Sequence, residues 1–486
     1  MLYPLFLEME TKKLFRLLII FLMLIFTFIV IYAPHTNYRY PFHIDEWRHI
    51  TEATKLKSGE YDWGTSNSLE FGFHSFLMIM SYFTNLVLVY KYLPALFACL
   101  SSLALFFFVY RTTKRFYIGI LSMLFFASLR NNVNITGLWF FIPLTFAIPL
   151  IYLFFMMFSC GIEEDNIIKL VYGLMIYVLI FFAHPISATF MIPILAVYLL
   201  IKKDFVKKHK ALFVSFIVIF ILFAAATFSK FLWKGTLSQS LSFFFEFIKF
   251  KEGWGVLELD ISLMAVYNIV GLVFALVGVY FALRKKNYLF VIWPTMILVL
   301  ISMFTVFKFT LFAPYQRLIY YLLLGLVPLG AIGFYYTLVL IKNTLIKLKW
   351  SKISVYSLMA ILVIISTGVM FSNYYKLDKQ VDLYRVIDDD DYKAIMFLDQ
   401  YDQSNVLAMP HTSVAVYPIS KHNIYATLYF YGNRKEIEGF FLSGNCSYMG
   451  NFIEEKEVDF VLNKGKIDCG WDMVYSQGPY IYNVSG

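Results

Sequence analysis

The sequence predicts a polytopic α-helical membrane protein of about eleven spans, N-terminus in and C-terminus out, ending in a small external α/β domain. Three observations predict it. Of the 486 residues 60% are hydrophobic, and mean hydropathy is +0.68, more apolar surface than a soluble chain of this length buries. Apolar runs near bilayer length recur between residues 13 and 371, separated by basic clusters. From Asn373 onward the apolar runs shorten to strand length and turn residues multiply.

The first run, about 13–33, follows Lys12, Lys13 and Arg16 and carries no small-residue cleavage site. It reads as an anchor rather than a removable signal peptide. A polar stretch from Pro34 to Glu70 follows. Residues 71–89 are apolar but contain His74 and Asn85; an interfacial or half-buried helix fits them better than a span. Spans 2 to 6 lie near 92–110, 116–129, 137–158 and 168–183, then up to Ile201. Span 7 lies near 211–228 and is followed by a long loop, 229–260. Span 8 ends at Arg284, span 9 covers 288–307, span 10 ends before Lys342, and span 11 occupies about 353–371.

Basic residues test that count, because cytoplasmic loops collect Lys and Arg. With the N-terminus in the cytoplasm, Arg111 to Arg115, Lys202 to Lys210, Arg284 to Lys286 and Lys342 to Lys352 all fall on the cytoplasmic side. Only the 159–169 loop, with Glu163, Glu164 and Asp165, is a weak member. Counting 71–89 as a full span would reverse every later cluster. The odd count places the first loop, 34–91, the 229–260 loop, Arg317 and residues 372–486 on the external face of the plasma membrane. Residues 1–371 then form the membrane domain and 372–486 the external one. The formal charge of +9 is what such loops contribute, so it does not call for nucleic acid.

In the tail, Asp388 to Asp391 precede the periodic run YKAIMFL, which predicts a capped helix rather than a cation site. NVLAM, NIYATLYFY, VDFVL, MVY and YIYNV read as strands. Cys446 and Cys469 lie in this exported region, where a disulfide is permitted. Sequons occur at Asn134, Asn445 and Asn483.

The chemistry concentrates in His43-Ile44-Asp45-Glu46-Trp47-Arg48-His49, with Glu52 beyond. In a helix Asp45, His49 and Glu52 share one face, and Glu46 points toward Ile50 and Ala53. The stretch is either an acidic pocket at a membrane surface or a solvated juxtamembrane helix. A carboxylate there can take the proton of an acceptor hydroxyl as a new bond forms. If the donor is a sugar on a lipid phosphate, the leaving group is an anion and needs a cation. Arg317, in the short loop after span 9, is the best placed; Lys308, Lys230, Lys234 and Arg130 are weaker candidates.

The run HIDEWRHITEATKLKSGEYDW resembles the first external loop of GT-C glycosyltransferases, in the protein O-mannosyltransferase and aminoarabinose transferase branch. GFHSFLMIM is similar to that branch's next segment, without its prolines, and YLPALFACLSSLALFFFVYRTTKRF is similar to its second span. EVDFVLNKGK through MVYSQGPYIYNV resembles the external domain of archaeal members. The resemblance covers about residues 12–130 and the last thirty; the middle matches in topology alone.

It implies a polyprenyl (dolichyl) phosphate-sugar donor, inversion at the anomeric carbon, and a glycan, protein or lipid acceptor. Asp45 would be the base or position the acceptor, and Glu46 would support the pocket. A divalent ion, Mg or Mn, is used by some branches; the candidates to hold it are Asp45, Glu46 and His49. His43 and His49 are either metal ligands or histidines bonded to carboxylates and headgroups. His49, His74 and Arg317 are candidate substrate-binding residues, with His74 alternatively a helix cap. His184-Pro185 reads as a span terminus. Two other functions compete: a transporter or flippase of lipid-linked sugars, against which stand the few mid-span charges and the lack of an internal repeat, and a non-catalytic assembly factor.

Overall fold

The structure is a computed structural model that describes residues 2–63, 69–131, 137–218, 249–251, 266–372, 374–375, 384–428 and 432–485. The expected sequon at Asn134, the candidates Lys230 and Lys234, most of the 229–260 loop and the second half of span 7 lie outside the described residues. Among those described, six helices are long and apolar enough to cross a membrane: Lys13–His35, Leu86–Thr113, Pro143–Glu163, Tyr288–Phe307, Tyr315–Lys347 and Lys352–Phe371. Five shorter apolar helices, Phe71–Ser81, Phe116–Ala127, Ile167–Ala183, Pro185–Ile201 and Ile269–Arg284, accompany them. The chain is a multi-pass membrane protein. The 71–89 stretch is not one helix: Phe71–Ser81 has 11 residues, about half the length of a span, and Asn85 caps a new helical start at Leu86.

The chain divides into two compact units, one of Met1–Pro34, Asp62–Phe73 and Leu93–Asp378, the other of His35–Tyr61, His74–Tyr92 and Lys379–Gly486. Most of the first loop thus groups with the C-terminal region rather than with the spans.

In the first unit, close helix packing relies on glycine, as expected where helices associate without a hydrophobic drive between them. A Cβ on Gly278 would collide with the Leu329 carbonyl, and one on Gly333 with that of Phe274. Helices Ile269–Arg284 and Tyr315–Lys347 therefore touch backbone to backbone. Two buried groups on neighbouring helices bond to the backbone of Tyr315–Lys347: Trp293 Nε1 donates to Tyr321 O at 3.0 Å and Tyr152 OH to Leu324 O at 3.1 Å. Each bond offsets the cost of burying a polar group away from water. A two-stranded antiparallel ribbon pairs β1 (Lys249–Lys251) with β2 (Phe309–Leu311).

In the second unit, five strands are ordered β4-β3-β5-β7-β6: β3 (Asn405–Ala408), β4 (Asn423–Ile424), β5 (Phe460–Asn463), β6 (Asp472–Tyr475) and β7 (Tyr480–Asn483). β3 runs parallel to β4 and β5, and β7 is antiparallel to β5 and β6. Leu407, Val461 and Tyr482 from the sheet pack with Phe440, Met449 and Phe452 from two helices, Arg434–Ser443 and Cys446–Lys456. Those helices stand where the sequence suggested none, and among the described residues β4 covers the first two residues of the long strand expected from NIYATLYFY. The helix Asp389–Leu398 forms with Asp388 as its N-cap. A disulfide joins Cys446 to Cys469, whose Cα atoms are 5.3 Å apart.

Candidate active site

The acidic motif opens the helix Ile44–Ser58. Its cap uses an unusual residue: His43 Nδ1 accepts the Asp45 N–H at 3.1 Å. Glu46 completes the cap from inside. Its Oε2 accepts the backbone N–H of Phe42 at 2.6 Å and of His43 at 2.9 Å. This is the capping-box arrangement, in which two otherwise orphaned donors are satisfied reciprocally. Acidic residues in the first turn and Lys55 and Lys57 in the last suit the helix dipole. Gly59, at φ +84°, ends the helix in the left-handed region.

The paired carboxylates thus have different fates. Glu46 is wholly buried, with one carboxylate oxygen engaged by two backbone donors. Asp45 keeps a quarter of its side chain exposed, with Oδ2 3.7 Å from His43 Nδ1. Asp45 is the carboxylate of the pair with access to a ligand.

One turn on, His49 Nδ1 lies 3.1 Å from His74 Nε2, and His74 Nδ1 lies 2.9 Å from the Tyr61 hydroxyl. Both imidazoles are buried. Burial, and then the positive charge of Arg48, hold His74 down to about 3, so it is neutral at working pH.

The segment entering the C-terminal region clamps this loop. Tyr38 OH donates to Ile387 O at 2.9 Å, Tyr40 OH to Asp389 Oδ1 at 2.8 Å, and the Arg385 N–H to Phe42 O at 2.9 Å. His43 and Tyr384 form an isolated antiparallel bridge. Tyr40 stacks on Tyr392, and Tyr417 OH donates to Glu60 Oε2 at 2.6 Å.

Arg317 belongs to the other unit, at the start of the helix Tyr315–Lys347. There it joins a cluster the sequence did not single out. His184, buried at the end of the helix Ile167–Ala183, has Nδ1 2.7 Å from Ser187 Oγ, and Ser187 Oγ lies 2.9 Å from Tyr321 OH. His184 Nε2 is 3.8 Å from Glu70 Oε1. Burial, and after it the charge of Arg317, hold His184 down to about 3. Gly72 brings Glu70 here, because a Cβ at that position would press on the Phe182 carbonyl at 2.9 Å. His-Pro at 184–185 and the Gly two residues after Glu70 were the available signals.

Residues 76–437 match the model of a family of unknown function, DUF6541. The chain belongs to that family. No curated protein matches this DUF6541 chain in sequence. Among solved structures it is similar to the oligosaccharyltransferase of Archaeoglobus fulgidus. The apo form aligns with a TM-score of 0.59 at 11% identity, covering 93% of this chain and 70% of that one. A form tethered to an acceptor peptide containing the NVT sequon aligns with a TM-score of 0.56 at 12% identity, covering 93% and 69%. A complex with an inhibitory peptide and a dolichol-phosphate gives 0.55 at 11%, covering 93% and 69%. At such identities the likeness is one of fold.

Proposed function

We propose that this DUF6541 chain is an integral-membrane glycosyltransferase that moves a sugar from a polyprenyl-phosphate carrier to an acceptor on the external face of the plasma membrane. The observation that carries the reading is the division of labour in the acidic pair: Glu46 holds the helix start, and the adjacent Asp45 carboxylate stays accessible. Asp45 takes the acceptor's proton as the acceptor atom attacks the anomeric carbon. The bond from that carbon to the carrier phosphate breaks, and the lipid phosphate departs as an anion. A single displacement inverts the anomeric carbon.

Arg317 is assigned to the departing phosphate, where a guanidinium gives charge-assisted hydrogen bonds. The similar structures bound to a dolichol-phosphate and tethered to an acceptor peptide support this choice of donor class and leave protein among the acceptors. A divalent ion is consistent with a similar structure in complex with zinc. Of the residues suggested for a Mg or Mn ion, Glu46 is committed to the cap and His49 turns Nδ1 to His74. Asp45 alone remains as an oxygen donor, which fits a hard ion poorly.

The test is incubation of purified protein with a panel of polyprenyl-phosphate sugars, scoring released lipid phosphate. Asp45→Asn keeps the side chain's size and removes the base, so release should fall by orders of magnitude with normal membrane insertion. Full activity in that variant excludes the assigned role. No transfer from any donor by the native chain would turn the reading to a flippase or an assembly factor.

A further inference from the structure

We propose that His49 and His74 form a binding site for a borderline-soft divalent transition metal, zinc foremost, beside the catalytic carboxylate. The site is inferred from geometry. His49 Nδ1 and His74 Nε2 are 3.1 Å apart. Two imidazole nitrogens on one tetrahedral zinc, each about 2.0–2.1 Å from it, stand about 3.3 Å apart. The observed separation therefore suits a shared ion with little rearrangement.

The surroundings match what a metal-bound histidine needs. A ligating imidazole donates its other ring N–H to a fixed acceptor, which selects the tautomer and aims the lone pair. For His74 that outer partner is the Tyr61 hydroxyl, 2.9 Å from Nδ1. With Nδ1–H directed at Tyr61 oxygen, the Nε2 lone pair points to His49. The rings are tilted by 36° with centroids 5.4 Å apart, so neither covers the face of the other. His49 and His74 are 4% and 0% exposed, and an ion between them would be shielded from bulk water. Charge balance is at hand along the same helix: Asp45 and Glu52 share the face of His49. Their two negative charges match the charge of a divalent ion.

Donor chemistry selects the ion. Imidazole suits zinc and its neighbours, whereas magnesium and calcium prefer oxygen ligands. Two histidines leave the remaining positions of a tetrahedral ion for water or a ligand oxygen.

The experiment uses the full chain purified in detergent, loaded with zinc, dialysed against buffer with micromolar free zinc, and assayed for metal by mass spectrometry. The native chain should retain about one zinc per chain. His49→Ala and His74→Ala should each lose it, while His411→Ala, at a histidine elsewhere in the fold, should keep it. Tyr61→Phe removes only the outer hydrogen bond and should weaken binding roughly tenfold, the lower end for loss of such a partner. X-ray absorption at the zinc edge of the native protein should report imidazole nitrogens near 2.0–2.1 Å, a readout independent of how the variants fold. Overturning results are a native chain that holds no zinc, zinc undiminished in both histidine variants, or a zinc edge without imidazole scattering. The assignment does not depend on sugar transfer. A chain that binds zinc through these histidines yet releases no lipid phosphate would remove the transferase reading and leave the metal site standing, and the reverse result would do the opposite.

Discussion

Adjacent carboxylates in a sequence look interchangeable, and the structure separates them by one turn of hydrogen-bond geometry. Glu46 at the third helical position can reach back to the N–H groups of Phe42 and His43; Asp45, one residue earlier and one methylene shorter, cannot. Glu46→Ala should therefore act through stability, lowering it by about 2 kcal/mol, as expected for loss of hydrogen bonds to a charged acceptor. Thermal unfolding in detergent reads this, and Asp45→Asn should leave the midpoint almost unchanged. His184 gives a second prediction. Its folded-state pKa is about 3 against 6.5 for the free side chain, so between these values the unfolded chain binds the extra proton. Its contribution to stability is complete above pH 6.5 and is lost progressively as pH falls toward 3. Melting midpoints measured from pH 7 to 4.5 should drop more steeply in the native chain than in His184→Asn; equal slopes would refute the assignment. Beyond the His-Pro pair and Gly72, the partners of His184 were not legible, since Glu70 and Tyr321 converge on it across 251 positions of chain.

Elements built on a single local pattern were legible, and those needing long-range partners were not. The expected span near 288–307 coincides with Tyr288–Phe307, a helix long enough to cross a membrane, and the apolar run near 168–183 forms the shorter helix Ile167–Ala183. The Asp388 cap was also visible, as a run of acceptors ahead of a periodic segment. The helices Arg434–Ser443 and Cys446–Lys456 escaped notice although Asn433 and Asn445 cap them; neither has a long apolar stripe, and their inner faces become evident only against β3, β5 and β7. NIYATLYFY carries strand-forming residues throughout, yet among the described residues its pairing with β3 ends at Ile424, although β3 runs on to Ala408. The clamp on the first loop was likewise invisible, since Tyr38, Tyr40 and Tyr417 find their partners 349 to 357 positions away. Tyr40→Phe and Tyr417→Phe each remove one hydrogen bond to a carboxylate and should each lower stability by about 1.5–3 kcal/mol. The double variant should expose the 35–61 loop to protease in a membrane preparation where the native loop resists. The Cys446–Cys469 bridge closes a separation of 23 residues, and opening it should destabilise the C-terminal region by about 3 kcal/mol in the chain-entropy account. Urea unfolding with and without reductant reads the difference, and the two forms should separate on a non-reducing gel.

At the scale of the whole molecule, the proposed chemistry depends on which face of the membrane receives the first loop. A carrier lipid presents its sugar at one leaflet, and an Asp45 on the opposite side cannot take part. Two features bear on this. Basic residues gather at Arg111 to Arg115, Lys202 to Lys210, Arg284 to Lys286 and Lys342 to Lys352, and such residues favour the cytoplasm. The second unit also contains a disulfide, which persists in oxidising compartments. These are the grounds on which the proposal puts residues 35–61 and the C-terminal region on the external side. Cysteine labelling tests the assignment directly. Cys446 and Cys469 are bonded to each other, and Cys99 and Cys160 lie within apolar helices, so the native background for a charged, membrane-impermeant maleimide is low. Ser58 is exposed at the end of the motif helix and Lys349 is exposed between two spans. Ser58→Cys should react in intact cells, and Lys349→Cys only after permeabilisation. The reverse pattern would place Asp45 in the cytoplasm and remove the external transfer reaction, while the His49–His74 metal site, which depends only on local geometry, would be unaffected.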